Sequence, residues 1–219
     1  MKVLRRICKI GLPAGLQSCF FSISNMVIQS SINSFGSIAM AGSTAASNIE
    51  GFVYSAMNAV YQANLSFTSQ NVGAGRYSRI NKILANCILA TTIVGLPLGL
   101  LACFFGPQLI SIYNTDPEVI AMGLKRLMII CSTYFLCGYS DVLVGSSRGM
   151  GDAFVPMIVT LAGVCGLRIV WIMTVLRVIP TLEVLYLCYP VSWAVTTVLQ
   201  FWYFRKIRKK FPREDAVGA

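Results

Sequence analysis

Two five-residue stripes of polar side chains lie inside stretches that are otherwise apolar. Ser18, Ser22, Asn25, Gln29 and Asn33 recur at steps of 4, 3, 4 and 4, and Glu50, Tyr54, Asn58, Tyr61 and Asn64 at steps of 4, 4, 3 and 3. That spacing puts each set on one face of a helix. Amides and hydroxyls can bond across helix interfaces in a membrane, but one amide per helix would serve that purpose. Two full stripes point instead to a hydrated cavity. Glu50, on the second stripe, and Asp141, in "CGYSDVLVGSS", are carboxylates placed to hold in turn a proton, a sodium ion or a cationic ligand. The plainer alternative for each is an interfacial carboxylate that caps a helix or pairs with a basic residue. Tyr54 and Tyr61 beside Glu50 could offer ring faces to a cation or simply pack.

Catalytic chemistry has no such footing. The chain contains no histidine, no G-x-S-x-G and no clustered carboxylate pair, so no enzyme is expected. The eight cysteines (Cys8, Cys19, Cys87, Cys103, Cys131, Cys137, Cys165 and Cys188) lie almost entirely in apolar runs and form no CxxC. The closest pair, Cys131 and Cys137, has neither disulfide nor metal spacing. They read as small hydrophobes between helices, and no metal or other cofactor is expected.

The elements that must position Glu50 and Asp141 follow from composition. Of 219 residues 56% are hydrophobic and only 12% charged, with a mean hydropathy of +0.69. Soluble domains carry about 25% charged residues, so the solvent for most of this chain is lipid. Six apolar runs stand out, at 10–33, 44–69, 83–105, 119–144, 154–178 and 182–204. Each is long enough, at about 1.5 Å per residue, to cross roughly 30 Å of hydrocarbon as a helix. Strands would leave unpaired backbone groups facing lipid. The expected fold is all-α, a polytopic bundle of six transmembrane helices at 10–204. A basic segment at 1–9 and a basic tail at 205–219 flank it.

Charge placement sets the orientation. The net charge is +10, but 14 of the 18 Lys and Arg fall in "MKVLRRICK", "GRYSRINK", "RKIRKKFPRE" and at Arg148, between the apolar runs. A nucleic-acid partner would need one continuous basic face and is not expected. The basic segments alternate with uncharged "SFGSIAMAG" and acidic "YNTDPEV". By the positive-inside rule both termini are cytoplasmic. Lys125 and Arg126 inside the fourth run, and Arg168 and Arg177 in the fifth, must snorkel to an interface or pair with an acid. The basic start followed by an apolar stretch also suits a signal peptide. The run continues through Gln17, Asn25 and Gln29 without an A-x-A site, however, and reads as a first span.

Two Gly-rich loops, "SQNVGAGRYSRINK" and "SSRGMGDAFVP", invite a phosphate-cradle reading, but neither holds G-x-x-x-x-G-K-[ST]. Gly73, Gly75, Gly149 and Gly151 are expected to supply positive φ where one helix ends and the next turns back. Arg76, Arg79, Lys82 and Arg148 are expected to hold those turns at the cytoplasmic side without touching a ligand. These stretches resemble the loop motifs of the multidrug and toxic compound extrusion (MATE) transporters. The resemblance rests on Gln70, Gly73, Gly75 and Arg76 in the first loop. In the second it rests on Arg148, Gly149, Gly151, Asp152 and Pro156. "GLPAGLQSCFF", with Pro13, resembles the start of a lobe in that family.

The resemblance implies a twelve-helix transporter in two six-helix lobes. Such a transporter exports cationic, often aromatic, compounds in exchange for sodium ions or protons across the cell membrane. This chain is similar to the second lobe, so its implied partners are membrane lipids, a cationic small molecule, and a missing N-terminal lobe or a second copy. It departs from the family pattern in lacking the carboxylate that one branch carries near the position of Phe21 or Ser22. Asp141 matches the general place of a functional aspartate, about one helical turn closer to the Arg148 motif than the family spacing. Alternatives are a truncated or degenerate membrane protein that moves nothing, and a flippase for lipid-linked saccharides. A flippase would want several cationic residues in the cavity, where the sequence offers only Arg168.

Overall fold

The computed structural model describes residues 2–212, with the side chains of residues 2–6 and 8–10 outside that description. The order is α1 (Lys2–Asn33), α2 (Ser37–Gly73), a 3-10 turn at Tyr77–Arg79, α3 (Ile80–Phe104), α4 (Gly106–Ser111), α5 (Pro117–Cys131) and α6 (Tyr134–Gly149). There follow α7 (Phe154–Thr160), a π-helical turn at Leu161–Gly166, α8 (Leu167–Met173), α9 (Val175–Val178) and α10 (Leu182–Arg208). Among the described residues there is no strand. The chain is an all-α polytopic membrane bundle whose six rods, α1, α2, α3, α5–α6, α7–α9 and α10, follow the six apolar runs.

Length and composition alone qualify three of these rods to cross a membrane: Tyr77–Phe104, Phe154–Val178 and Leu182–Arg208, with mean hydropathies of 2.2, 2.0 and 1.4. The α5–α6 pair makes a fourth. At 32 and 37 residues α1 and α2 are long enough; their polar stripes dilute the hydropathy. The outward faces are apolar. Leu89, Ile93, Leu101 and Phe104 on α3, and Val198 and Trp202 on α10, point away from the bundle. In water such surface would drive association; in lipid it is the solvated face.

Several boundaries differ from the sequence expectation. The fourth run is a broken rod, bent by 44° between α5 and α6. Its cause is local: Ser132 Oγ donates to the Met128 carbonyl at 2.6 Å and Thr133 Oγ1 to that of Ile129 at 2.9 Å. These hydroxyls compete with the helical amide ladder, and Thr133 N turns to Ile130 O instead, at 3.1 Å. Helix α2 starts at Ser37 instead of 44, because the reversal is confined to residues 34–36, with Gly36 at φ +101°. Helical geometry also extends from Lys2 through the basic start and on to Arg208 in the basic tail. The tail from 213 to 219 and Met1 lie outside the described residues.

The two glycine loops share one cap. Gly75 N bonds to Val72 O at 3.2 Å and Arg76 N to Asn71 O at 2.8 Å; Gly151 N bonds to Arg148 O at 2.8 Å and Asp152 N to Ser147 O at 3.1 Å. Each is a Schellman motif whose left-handed residue is the glycine, at φ +69° for Gly75 and +92° for Gly151. Gly73 and Gly149 are not at positive φ, contrary to expectation. Gly73 is the last residue of α2, and Gly149 is small because Thr68 Cβ would stand 2.7 Å from an added Cβ. Asp152 then caps α7, its Oδ1 accepting from Phe154 N at 3.2 Å, while Tyr203 Oη donates to its Oδ2. Pro156 lies in the first turn of α7, and its carbonyl accepts from Gln200 Nε2 at 2.9 Å. Gln70 Nε2 donates to Ser66 Oγ at 3.2 Å.

Small residues allow a close helix crossing. A Cβ on Gly42 of α2 would stand 2.6 Å from Val119 O and 2.7 Å from Gly123 N of α5. Only glycine lets the two backbones meet there, as is common where helices associate in lipid. The helices run in the same direction, and further along them Glu50 meets Arg126.

Candidate functional site

A cavity of about 820 Å³ opens on one flank of the bundle. Helix α1 supplies Gln17, Ser18, Ser22, Asn25 and Gln29, so most of its polar stripe faces the cavity. Asn33, at the end of that stripe, lines a separate cavity of about 450 Å³ with Asn48 and Asn114. Gln29 borders both and donates to Asn33 Oδ1 at 3.2 Å.

The second stripe divides. Glu50, Tyr54 and Tyr61 line the main cavity. Asn58 is half-buried and outside it. Asn64 is fully buried and ties α2 to α6, its Nδ2 donating to Ser146 Oγ at 2.9 Å. Asn64 is the helix–helix glue that the spacing also allowed.

The two carboxylates differ sharply. Both oxygens of Glu50 accept from Arg126, from Nε and Nη2 at 2.8 Å each, and Arg126 Nη1 donates to Ser43 Oγ at 2.7 Å. Glu50 and Arg126 are 6% and 5% exposed. This is a buried, two-pronged ion pair in which neither charge is free. Asp141 on α6 also lines the cavity, and among the described residues no hydrogen bond or ion pair reaches it.

Positive charge is more abundant here than expected. The sequence offered only Arg168, but Arg126 and Arg148 line the cavity as well. Arg148 is more than a loop anchor: its Nη1 donates to Tyr61 Oη at 2.8 Å and its Nη2 to Gln17 Oε1 at 2.6 Å. One signal could have revealed it: Arg148 follows Asp141 by seven residues, two turns along one face of α6. Helical side chains also lean toward the helix N-terminus, which carries the guanidinium back from the loop.

An aromatic wall joins these charges. Ring centroids lie 6.4 Å apart for Tyr54 and Tyr134, 5.1 Å for Tyr134 and Trp193, and 5.7 Å for Tyr189 and Trp193. Arg168 stacks over Tyr189 at 4.2 Å. Tyr189, Trp193 and Tyr134 were not singled out in the sequence, although the four-residue step from Tyr189 to Trp193 marks one helix face. The site has an unpaired carboxylate, a run of rings and a stacked guanidinium.

A family model described as MatE matches residues 13–174. "Probable multidrug resistance protein YoeA" of Bacillus subtilis (strain 168) is 25% identical over 211 residues, covering 95% of this chain and 45% of that protein. "Probable multidrug resistance protein YpnP" of the same organism is 28% identical over 162 residues, covering 74% and 36%. The Vibrio cholerae MATE transporter VcmN in its bent form shares the fold at a TM-score of 0.86 and 17% identity, covering 95% of this chain and 48% of that one. The chain thus spans about half the length of VcmN and less than half that of the two Bacillus relatives. With the family model covering most of its length and the fold shared from end to end, the chain belongs to the MatE family of transporters.

Proposed function

We propose that this chain forms one lobe of a secondary antiporter in the cell membrane, with both termini cytoplasmic. It would export cationic or aromatic compounds in exchange for sodium ions or protons. The observation that carries the reading is Asp141, a carboxylate on the cavity wall that no hydrogen bond or ion pair reaches among the described residues, next to a continuous run of aromatic rings. A carboxylate in that setting binds whichever cation is present and releases it when another arrives. Glu50 cannot serve in the same way while Arg126 holds both its oxygens.

The cavity lies on an open flank, and alternating access requires a second unit rocking against it. That unit is an N-terminal lobe or a second copy of this chain. The matched proteins, about twice as long, and the names of the Bacillus relatives support both the partner and the efflux role. The flippase reading has less support: Glu50 neutralises Arg126, and Tyr61 and Gln17 share Arg148, leaving one available guanidinium.

The test is efflux of a cationic dye such as ethidium from cells expressing the protein with its partner lobe. Asp141→Asn should reduce ion-coupled efflux by about tenfold or more, roughly 1.4 kcal/mol in coupling. Wild-type efflux in that variant would remove Asp141 from the mechanism and with it the exchange reading.

A further inference from the structure

Arg126 and Arg168 offer an internal comparison. Both guanidiniums are buried, at 5% and 1% exposure, and both stack on Tyr189, at 5.7 and 4.2 Å. Arg126 has a carboxylate and a hydroxyl. Arg168 has only Ser192, whose Oγ accepts from Nε at 3.1 Å, and its Nη1 has no hydrogen-bond partner. No carboxylate pairs with it among the described residues. Besides Ser192, only ring faces ease its charge among the described residues, Tyr189 together with Phe21 and Trp193 at 5.8 Å each. Ring quadrupoles attract a cation but do not satisfy N–H donors. A buried guanidinium without its acceptor is a costly arrangement, and a planar two-oxygen anion relieves it best. Arg168 also lies in the cavity wall.

We propose that Arg168, boxed by Phe21, Tyr189 and Trp193, is a binding subsite for the anionic group, a carboxylate or phosphate, of an aromatic or amphiphilic ligand. The proposal rests on the reading that the cavity holds cargo. It adds that this wall discriminates by negative charge at one end, with the ligand ring lying along Trp193 and Tyr134. The anion could belong to a soluble aromatic acid or to a phospholipid headgroup.

The test uses the purified full-length protein in lipid-free detergent and three probes sharing one ring system: 1-naphthoate, 1-naphthyl phosphate and (1-naphthylmethyl)trimethylammonium. Titration calorimetry of wild type against Arg168→Gln should show both anions losing about tenfold or more in affinity while the cation, held from Asp141, loses none. Arg168→Lys should retain only part of the anion affinity. Circular dichroism establishes that each variant is folded. The cationic probe serves as the control for an intact cavity in each variant. Phosphatidylglycerol added to the micelles should compete with 1-naphthoate if the natural anion is a headgroup, and leave it unaffected if the anion is a soluble acid. Anion affinities that survive Arg168→Gln, or a wild-type protein that binds neither anion, would overturn the subsite. Loss of efflux in Asp141→Asn would still stand in that case, so the two readings fail separately.

Discussion

Arg126 grips Glu50 with two parallel hydrogen bonds of 2.8 Å, and this pair joins α2 to α5 within the cavity wall. The consequence for stability is asymmetric. Both ions have lost their water, so removing one strands the other. Glu50→Gln should destabilise the folded protein by about 3–5 kcal/mol. Replacing both at once, as Glu50→Leu with Arg126→Met, should recover most of that loss. Thermal unfolding in detergent measures both. A single variant as stable as wild type would mean that the pair carries no structural load.

Gly42 tests the crossing that brings the pair together. Gly42→Val would drive its side chain into the Val119 carbonyl and the Gly123 amide. Overpacking of this kind costs about 1–3 kcal/mol. The expected readout is a lower unfolding midpoint with unchanged helical content. An unchanged midpoint would show that α2 and α5 can separate freely.

The motif glycines divide by conformation and not by their place in the sequence. Gly151→Val puts a branched side chain at φ +92°, where the left-handed region costs about 1–2 kcal/mol. Gly73→Ala meets open space at the end of a helix and should be neutral or slightly stabilising. The unfolding midpoint should fall for Gly151→Val and stay at or above the wild-type value for Gly73→Ala. Equal losses would contradict the two-cap geometry.

Lys125 and Glu183 meet at 2.7 Å, with both side chains about half exposed. An exposed pair of this kind contributes about 0–1 kcal/mol. Lys125→Ala should leave the midpoint within error at physiological salt, in contrast to the neighbouring Arg126. A loss comparable with that of Glu50→Gln would show that this end of α5 is drier than its exposure indicates.

The rods were legible in the sequence because lipid imposes long apolar runs; their ends were not, since helical geometry continues from Lys2 through the basic start and to Arg208 in the basic tail. What escaped depended on hydroxyls and on reach. Ser132 and Thr133 look ordinary in a helix, and only their bonds to the carbonyls of Met128 and Ile129 reveal the bend. Arg148 was assigned to its loop by charge, yet its length carries the guanidinium back to Tyr61 and Gln17. The stripe of Glu50, Tyr54, Asn58, Tyr61 and Asn64 was correctly periodic. Periodicity identifies a face, however, and the cavity, Arg126 and Ser146 had already divided that face among themselves.

The π-helical turn at Leu161–Gly166 acts as a one-residue phase shift in the fifth rod. Ahead of it, Pro156 and Thr160 engage Gln200; beyond it, Arg168 turns to Ser192 and the ring box. A wide turn of this type amounts to one extra residue in an α-helix, and each residue advances the helix by about 100°. Winding residues 161–166 as ordinary α-helix without removing one would swing Arg168 about a quarter-turn around the axis, whereas excising one residue there would keep its bearing. The compass bearing of that guanidinium is therefore set by a counting property of the backbone several residues upstream.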